Sequence, residues 1–595
     1  MTNMERVIVF AAAAVACLGG PAFAGGPDDT FRALYQREWQ FRLQEFPEMA
    51  TAEGDHRYDD RLTHVGARDL ERRYHYYQDV ELKLAGINES GLSPGEQVNF
   101  AIYRRQIRHF LTEHETGAEL IPLNSDWGFY LSLSRLPSEV PLDSVADYRN
   151  YVARLRSMPA VIDEYILLLK RGLKAGMTPP RVVLKGREAI IRAIYDTPLA
   201  KNAFYRPFLH IGQRIPNARR KPLVEQGRSI VETRLNPAFA RLFDFFVQRY
   251  VPGARTTLAA TALPDGARFY REQVRYYTTL DLKPEEIHRI GLAEVKRIQS
   301  DMKSIITEVG FKGGFAAFLH FLRTDPRFYA KTPAQLLRIA SRIAKRIDGT
   351  LPAFFRRLPR QPYGVEPVPE SLAPTFTAGR YVGAPIDSKR AGTYWVNTYD
   401  LPSRPLYTLP ALTLHEAVPG HHLQGALAAE QKNQPPFRRN AYISAYGEGW
   451  GLYAEFLGQE MGIYQTPYEQ FGRLTYEMWR ACRLVVDTGI HTQGWSREKA
   501  IDYLASHTAL STREVTTEVD RYISWPGQAL SYKLGEMEIR KLRREAESAL
   551  GEKFDLRGFH DTVLSLGSVP LDVLATHVHR WIARQRGKAR GQVVS

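Results

Sequence analysis

Long stretches with helical periodicity, each bounded by start and stop signals, constrain the fold of this chain more than any other feature. The stretch DSVADYRNYVARLRSMPAVIDEYILLLKRGLKAG begins with acidic residues, spaces its apolar residues three and four apart, and ends on Gly176. Residues 279–310 and 332–349 repeat the pattern. No fixed period relates these stretches, which argues against a helical solenoid. The sequence therefore predicts a mainly α fold.

Two segments interrupt the helical pattern and indicate a small β-sheet. Residues 359–385 are rich in proline and glycine. Residues 392–401, GTYWVNTYDL, are dense in the aromatic and β-branched side chains that favour strands. Thr408 and Pro410 then provide start signals for another helix. We expect the sheet to lie close to that helix.

The length of 595 residues suits one large domain or several smaller ones. We expect residues 25–280 to form a helical N-terminal part that caps a cleft. Residues 281–595 are expected to carry the functional site. No clear linker separates the two parts, so one continuous domain is the alternative.

The first 24 residues have the organisation of a secretory signal peptide. A positively charged start precedes the apolar run 7–19, and Ala22 and Ala24 follow in A-x-A spacing. We therefore expect cleavage after Ala24 and export, which in a bacterium leads to the periplasm. Cys17 could carry a lipid, but Ala14 stands where lipidated leaders usually have a larger aliphatic residue, so we do not expect a lipoprotein. No later apolar run approaches the ~20 residues that cross a membrane.

Cysteine count and charge exclude several classes of function. The chain has two cysteines, and cleavage of the leader leaves Cys482 alone, which excludes an intrachain disulfide and a cysteine-based zinc site. The formal net charge is +15, but the basic residues are dispersed. Their densest clusters, RRQIRH and NARRKPL, match no nucleic-acid-binding module. We expect no nucleic-acid partner and a basic surface that favours acidic substrates or anionic membranes.

The segment HEAVPGHHLQ, which starts at His415, carries the main indication of function. Zinc-peptidase helices hold two histidines four residues apart, with a glutamate beside the first as general base. Here His421 and His422 follow His415 by six and seven residues. On a regular helix, six residues turn a side chain ~120° away, and seven move it ~10.5 Å along the axis. A regular helix therefore does not bring these histidines to one metal ion.

Pro419 and Gly420 change the geometry of that segment. Proline lacks the N–H that continues a helix and its ring clashes with the preceding turn, while glycine adds freedom. A bulge that absorbs two residues would return His421 to the position of a histidine four residues on. The choice between His421 and His422 stays open at this point.

A catalytic zinc site with two histidines needs a third protein ligand and leaves one position for water. The segment AYGEGWGLYAEFLGQEMG offers Glu448, which follows His421 by 27 residues, and Glu455 two turns later. Further along, Asp487 and His491 lie one turn apart. Such a pair can orient an imidazole toward a developing oxyanion, or the histidine can simply stabilise a helix C-terminus.

Four long motifs carry a resemblance to a known family. YWVNTYDLPSRPLYTLPALTLHEAVPGHHLQ, YGEGWGLYAE, VVDTGIHTQGWS and RYISWPGQALSYKLGE resemble the domain-of-unknown-function 885 family, over roughly residues 30 to 590. The resemblance implies membership of the gluzincin-like clan that includes the oligopeptidase, angiotensin-converting-enzyme and thermostable-carboxypeptidase families. It also implies a large helical zincin-like fold with one Zn²⁺ per chain, and it supplies no substrate.

The resemblance and the motifs together assign expected roles to individual residues. The expected zinc ligands are His415, His421 and Glu448, with His422 and Glu455 as alternates. The expected catalytic residues are Glu416 as general base, with Tyr532 and His491 stabilising the tetrahedral intermediate. The expected substrate-binding residues are Asn397, in a strand that pairs with an extended peptide, and Tyr522, with Arg480, Arg513 and Lys533 as candidate partners of a substrate carboxylate.

These residues lead to one expected function and two alternatives. The first expectation is an exported zinc metallopeptidase that hydrolyses short or unfolded peptides with a glutamate general base. The second is a zinc amidase acting on a non-peptide or cell-wall amide with the same residues. The third is a non-catalytic exported binding protein, which would have no use for a general base.

Overall fold

The computed structural model describes residues 26–370, 372–384, 389–439 and 441–591. The predicted signal peptide, including Cys17, lies outside these residues. Within them, no helix combines the length and the apolar character that crossing a membrane requires.

The protein is mainly α-helical with one small sheet, which confirms the predicted fold class. Helices α1–α12 are Pro27–Glu45, Pro47–Ala52, Ala67–Ala85, Pro94–Glu115, Phe129–Glu139, Val145–Ala175, Arg187–Tyr195, Arg206–Leu209, Asn217–Ile230, Asn236–Phe245, Val251–Gly253 and Gly266–Thr278. Helices α13–α25 are Pro284–Glu308, Phe315–Thr324, Pro333–Phe354, Leu409–Glu416, His421–Ala429, Pro436–Arg439, Ser444–Glu460, Pro467–Gln493, Arg497–His507, Thr512–Ser524, Ser531–Leu550, Leu556–Leu564 and Leu571–Gly591.

The ends of the helices follow the signals in the sequence. Helix α6 begins after a capping box between Ser144 and Asp147, and it ends at Gly176, whose φ of 71° suits glycine. Helix α15 continues past its expected stop at Gly349 as far as Phe354. The extra turn buries Leu351 in the core, which offsets the weak helix propensity of glycine.

The sheet has three strands: β1 (Tyr363–Pro367), β2 (Gly379–Val382) and β3 (Gly392–Val396). Strand β3 is central, pairing in parallel with β1 and antiparallel with β2. Both sides of β3 are therefore occupied, which corrects the expectation that this strand is open to a peptide. The strand also ends before Asn397, because the chain turns there into a short helical turn at Leu401–Ser403.

One large core joins the two ends of the chain. Helix α13 packs along α20, and α19 packs along α23. Phe31 of α1 and Tyr103 of α4 belong to the same core as Trp450 of α19. A second core is formed only by residues between Leu62 and Ala254. Both parts of the expected division thus contribute to the large core, and the boundary at residue 280 stays a prediction.

Candidate metal centre

The segment with the late histidine forms two helices rather than one. Helix α16 ends at Glu416, and α17 begins at His421. The N–H of Gly420 donates to the carbonyl oxygen of Leu414 at 3.0 Å, six residues back, where a regular helix would reach four. The two residues by which the spacing from His415 to His421 exceeds four therefore lie in the loop between α16 and α17. This confirms the predicted irregularity and replaces the predicted bulge with a full break.

Three side chains from α16, α17 and α19 converge beside this loop. Nε2 of His415 and Nε2 of His421 each lie 3.5 Å from Oε2 of Glu448. One ligand atom from each of the three residues lies within 4.8 Å of the others. Ligand atoms ~2.1 Å from one tetrahedral ion are ~3.4 Å apart. The three residues therefore fit a zinc ion in spacing and in the chemistry of their donors.

The charges of this cluster favour a cation. Burial raises the pKa of Glu448, but hydrogen bonds to His415 and His421 outweigh it and hold that pKa well below its usual range. Burial lowers the pKa of His415, but Glu448 and Glu455 outweigh it and raise that pKa to about 10. The carboxylates of Glu448 and Glu455 thus stabilise a positive charge where the ligand atoms converge. A divalent cation there would satisfy them and leave the imidazoles neutral, as ligation requires.

Glu455 holds His415 in place. Its Oε1 lies 2.8 Å from Nδ1 of His415, on the side of the ring opposite Nε2. Histidines that bind a metal usually donate their other N–H to such a carboxylate, which fixes the tautomer. Nη2 of Arg480 lies 3.8 Å from the same Oε1. Glu455 therefore orients His415, and the structure brings Glu448, not the alternate Glu455, into the group of converging ligand atoms.

His422 points away from the cluster and toward the sheet. Its Nδ1 lies 3.1 Å from the hydroxyl of Tyr381, and its ring packs on Tyr363. Burial lowers the pKa of His422 to about 4. Of the two neighbouring histidines, the structure brings His421 to the cluster and leaves His422 outside it.

Glu416, the last residue of α16, is held by strand β2. Its Oε2 accepts a hydrogen bond from the backbone N–H of Tyr381 at 2.8 Å. That N–H is therefore directed away from β3, so the outer edge of β2 faces the cluster. The glutamate directly after the first histidine is thus fixed by a backbone donor at the end of α16.

Sequence reasoning missed two contacts of the cluster. The hydroxyl of Tyr442 donates to Oε1 of Glu448 at 2.9 Å. The indole N–H of Trp450 donates to the carbonyl oxygen of Pro419 at 2.7 Å and fixes the loop. Trp450 lies in the AYGEGWG segment and Tyr442 three residues before it, but periodicity alone does not reveal which aromatic side chains contact the loop or Glu448.

Tyr532 lies near the cluster, among arginines. Its hydroxyl accepts from Nη2 of Arg521 at 3.3 Å, and the guanidinium of Arg483 lies 3.9 Å from its ring centre. Burial and the nearby Glu448 raise the pKa of Tyr532, but the two arginines outweigh both and lower it below its ordinary value. The arginines thus make the Tyr532 hydroxyl a stronger hydrogen-bond donor.

The structure does not place His491 or Tyr522 at the cluster. Nδ1 of His491 accepts from the backbone N–H of Ala260 at 3.0 Å, and its Nε2 donates to the carbonyl oxygen of Tyr522 at 2.9 Å. Both ring nitrogens are thus hydrogen-bonded to the backbone, which corrects the expectation that His491 stabilises the tetrahedral intermediate. The Tyr522 hydroxyl is buried and accepts from Trp479 and Arg483, which corrects its assignment to substrate.

Three other residues that were expected to contact the substrate have different partners in the structure. The Asn397 side chain is buried and donates to three carbonyl oxygens of residues 373–377, so it fixes that loop. Nζ of Lys533 is buried against three glutamates at 2.9–3.1 Å. Arg513 is exposed and donates to the carbonyl oxygen of Pro374. Arg480 alone of the three basic candidates lies next to the cluster.

We expect a methyl group at Gly420 to distort the centre. A Cβ there would overlap the carbonyl oxygens of Leu414 and His415, which are backbone atoms and cannot move aside. The Gly420→Ala variant should lose about 3 kcal/mol of stability in chemical denaturation, the upper part of the range for overpacking. Gly425→Ala is the matched control within α17, because its Cβ would meet only the Tyr381 ring at an ordinary 3.7 Å and should stabilise by ~0.5–1 kcal/mol. Equal stability of the two variants would contradict the tight loop.

The fold and the cluster define a class: a large, mainly α-helical protein with a candidate metal centre of two histidines and a glutamate. The chain belongs to a family described as bacterial proteins of unknown function, DUF885, whose profile matches residues 47–578. None of the curated proteins matches the chain.

Two solved structures are similar to this chain over more than nine tenths of its length. A "putative lipoprotein" from Colwellia psychrerythraea has 28% sequence identity and a TM-score of 0.87, with 94% of this chain and 100% of that chain covered. A "putative lipoprotein of unknown function" from Shewanella oneidensis has 18% identity and a TM-score of 0.68, with 93% and 99% covered. The second likeness shows the fold alone.

Proposed function

We propose that the protein is a zinc-dependent hydrolase of amide bonds, acting on short or unfolded peptides. The convergence of His415, His421 and Glu448, with Glu416 directly after the first histidine, carries this proposal. Two imidazoles and one carboxylate are a common ligand set of catalytic zinc, with the fourth position left for water. The proposal includes a relation to the gluzincin clan.

When bound, zinc would polarise the scissile carbonyl group and lower the pKa of water toward ~7. Glu416 would take the proton from that water and pass it to the leaving amine. The backbone N–H of Tyr381 would hold the Glu416 carboxylate in position for both transfers. The Tyr532 hydroxyl, with its lowered pKa, would donate to the oxygen on which negative charge develops.

The outer edge of β2, apart from the Tyr381 N–H that Glu416 occupies, would bind the substrate main chain. This edge, not that of β3, is next to Glu416, and an extended peptide can add to such an edge by backbone hydrogen bonds. Unfolded and short peptides can adopt this extended form, whereas folded proteins cannot offer it.

The proposed location is outside the cytoplasm, reached after cleavage of the N-terminal leader. The composition of residues 1–24 supports export, and so do the names of the two solved relatives. Those names also favour a lipid anchor, so the expectation that Cys17 carries no lipid has no support. Both a lipid anchor and a cleaved leader would lead to export, and we propose the periplasm as the compartment.

Removal and return of the metal test this proposal. Protein purified without chelator should contain one zinc per chain by elemental analysis, and it should cleave members of a peptide mixture analysed by mass spectrometry. Chelation should abolish cleavage, and added zinc should restore it. Purified cell-wall fragments assayed in parallel distinguish the amidase. Protein that contains no zinc and cleaves neither substrate would be a binding protein instead.

A further inference from the structure

Four arginines form a cluster beside the candidate metal centre: Arg404, Arg480, Arg483 and Arg521, here called the arginine cluster. Nη2 of Arg480 lies 3.8 Å from the Glu455 carboxylate that orients His415. Arg483 and Arg521 both contact Tyr532. The negative charge of Glu448 is close enough to raise the pKa of the Tyr532 hydroxyl. The cluster therefore borders the centre on the Tyr532 side.

Several N–H groups of this cluster have no hydrogen-bond partner among the described residues. They are Nε and Nη1 of Arg480, Nη1 of Arg483, and Nε of Arg404 and of Arg521. The first two residues are nearly fully buried, with Arg480 4% and Arg483 1% exposed. Buried polar groups almost always have a partner, and charged groups more strictly so. Five unpartnered guanidinium nitrogens in one region therefore indicate a binding site for an anion.

Aromatic rings hold the guanidinium groups by their faces. The Arg480 guanidinium lies 3.9 Å from the ring centre of Trp479 and 4.7 Å from that of Tyr476. The Arg483 guanidinium lies 3.9 Å from the ring centre of Tyr532. Stacking of this kind fixes the plane of the group and leaves the N–H edges free for hydrogen bonds. The donors are thus oriented before any ligand arrives.

The nearby acidic residues do not balance the cluster. Glu518 accepts from Nη2 of Arg483 at 2.8 Å and lies 3.6 Å from Nη1 of Arg521. Burial raises the pKa of Glu514 to about 7, so this second carboxyl carries only part of a charge at neutral pH. Glu455 also lies 3.8 Å from Nη2 of Arg480 but is shared with His415, so three carboxyl groups, one of them only partly ionised, stand against four guanidinium cations. A ligand with a negative charge would supply the balance.

We propose that the arginine cluster binds a carboxylate of the substrate, so that the scissile bond lies close to an acidic group. The inference rests on the proposed hydrolase function and names its substrate class. A carboxylate matches the fork of N–H donors of an arginine and can accept two parallel hydrogen bonds. The carboxylate belongs either to the C-terminus of a short peptide or to an aspartate or glutamate side chain, which share this chemistry.

Peptide pairs that differ only at the carboxylate test the proposal. One short peptide is compared as the free acid, as the C-terminal amide, and as an amide with glutamate in its last position. Calorimetric titration of the zinc-loaded Glu416→Gln variant measures binding without hydrolysis. We expect the free acid to bind ~10–100-fold more tightly than the plain amide, as a charge-assisted pair of hydrogen bonds provides. Tight binding of the glutamate amide as well would assign the site to acidic side chains in addition.

The Arg521→Gln variant, made in the Glu416→Gln background, tests the arginine cluster itself. Arg521 is chosen because it is only partly buried, so the fold tolerates its loss better than the loss of Arg483. Its preference for the acid over the amide should fall about tenfold. Arg497→Gln, made in the same background, is the matched control: this arginine pairs with Asp520 on the same helix as Arg521 and should keep the preference.

Equal affinity for acid and amide, or no binding of any acid, would overturn the carboxylate site. A preference for the acid in the Glu416→Gln variant, together with no cleavage of any peptide by the wild type, would support the carboxylate site and count against the hydrolase. The two proposals therefore fail separately.

Discussion

The Glu416→Gln variant is expected to retain its zinc and lose peptide hydrolysis. Glutamine keeps the size of the side chain and can still accept the hydrogen bond from the backbone N–H of Tyr381. It cannot take a proton from water, so the contribution of the general base is lost. That contribution is typically ~10²–10⁴-fold in rate. The rate of cleavage of a selected peptide, measured with zinc content determined on the same sample, checks this prediction.

A matched change on the sheet provides the control for Glu416. Glu366 is an exposed glutamate on β1, and its replacement by glutamine should leave both zinc content and cleavage at wild-type levels. Wild-type cleavage by Glu416→Gln would remove the general base from the mechanism. Loss of zinc from Glu416→Gln would show instead that this carboxylate is itself a ligand.

The second large effect is expected at the loop histidines, where neighbouring residues should behave differently. His421→Ala removes an imidazole whose Nε2 lies 3.5 Å from Glu448 and should lower zinc affinity by more than ~100-fold, beyond the usual effect of residues that only support a ligand. His422→Ala removes a ring that packs on Tyr363 and bonds Tyr381. That loss should reduce stability and leave the zinc bound.

Zinc affinity is best measured by competition with a chromogenic chelator, and stability by thermal unfolding of the stripped proteins. The pair of variants forms its own control, because each removes one buried or partly buried imidazole from the same turn of α17. The reverse pattern, with zinc lost from His422→Ala and kept by His421→Ala, would mean that the histidine assignment is wrong.

Helix boundaries and the candidate ligand residues were accessible from the sequence because their signals are local. Proline at the start of α13, a capping box at α6 and Pro419 after α16 each act within a few residues. The two candidate histidines and Glu448 are likewise indicated by short sequence motifs. The predicted irregularity at Pro419 and Gly420 followed from the chemistry of one turn, although it is a full break between two helices and not the predicted bulge.

The surroundings of the centre could not be predicted in the same way, because they depend on contacts between distant segments. Tyr381 reaches Glu416 from a strand 35 residues earlier in the chain. His491 looked catalytic beside Asp487, but each of them bonds to other partners after folding, and Asp487 accepts from Tyr270. Lys533 looked free in the sequence, whereas it closes a buried network with three glutamates. Contacts between residues this far apart in the chain leave no periodic pattern in the sequence.

The break between α16 and α17 has a consequence for how such centres are recognised. The two histidines are six residues apart along the chain, yet both reach the same carboxylate oxygen at 3.5 Å. A search that counts residues between histidines passes over this protein, whereas a search that measures distances between donor atoms finds it. Other chains with a proline and a glycine between distant histidines can hide a metal centre in the same way.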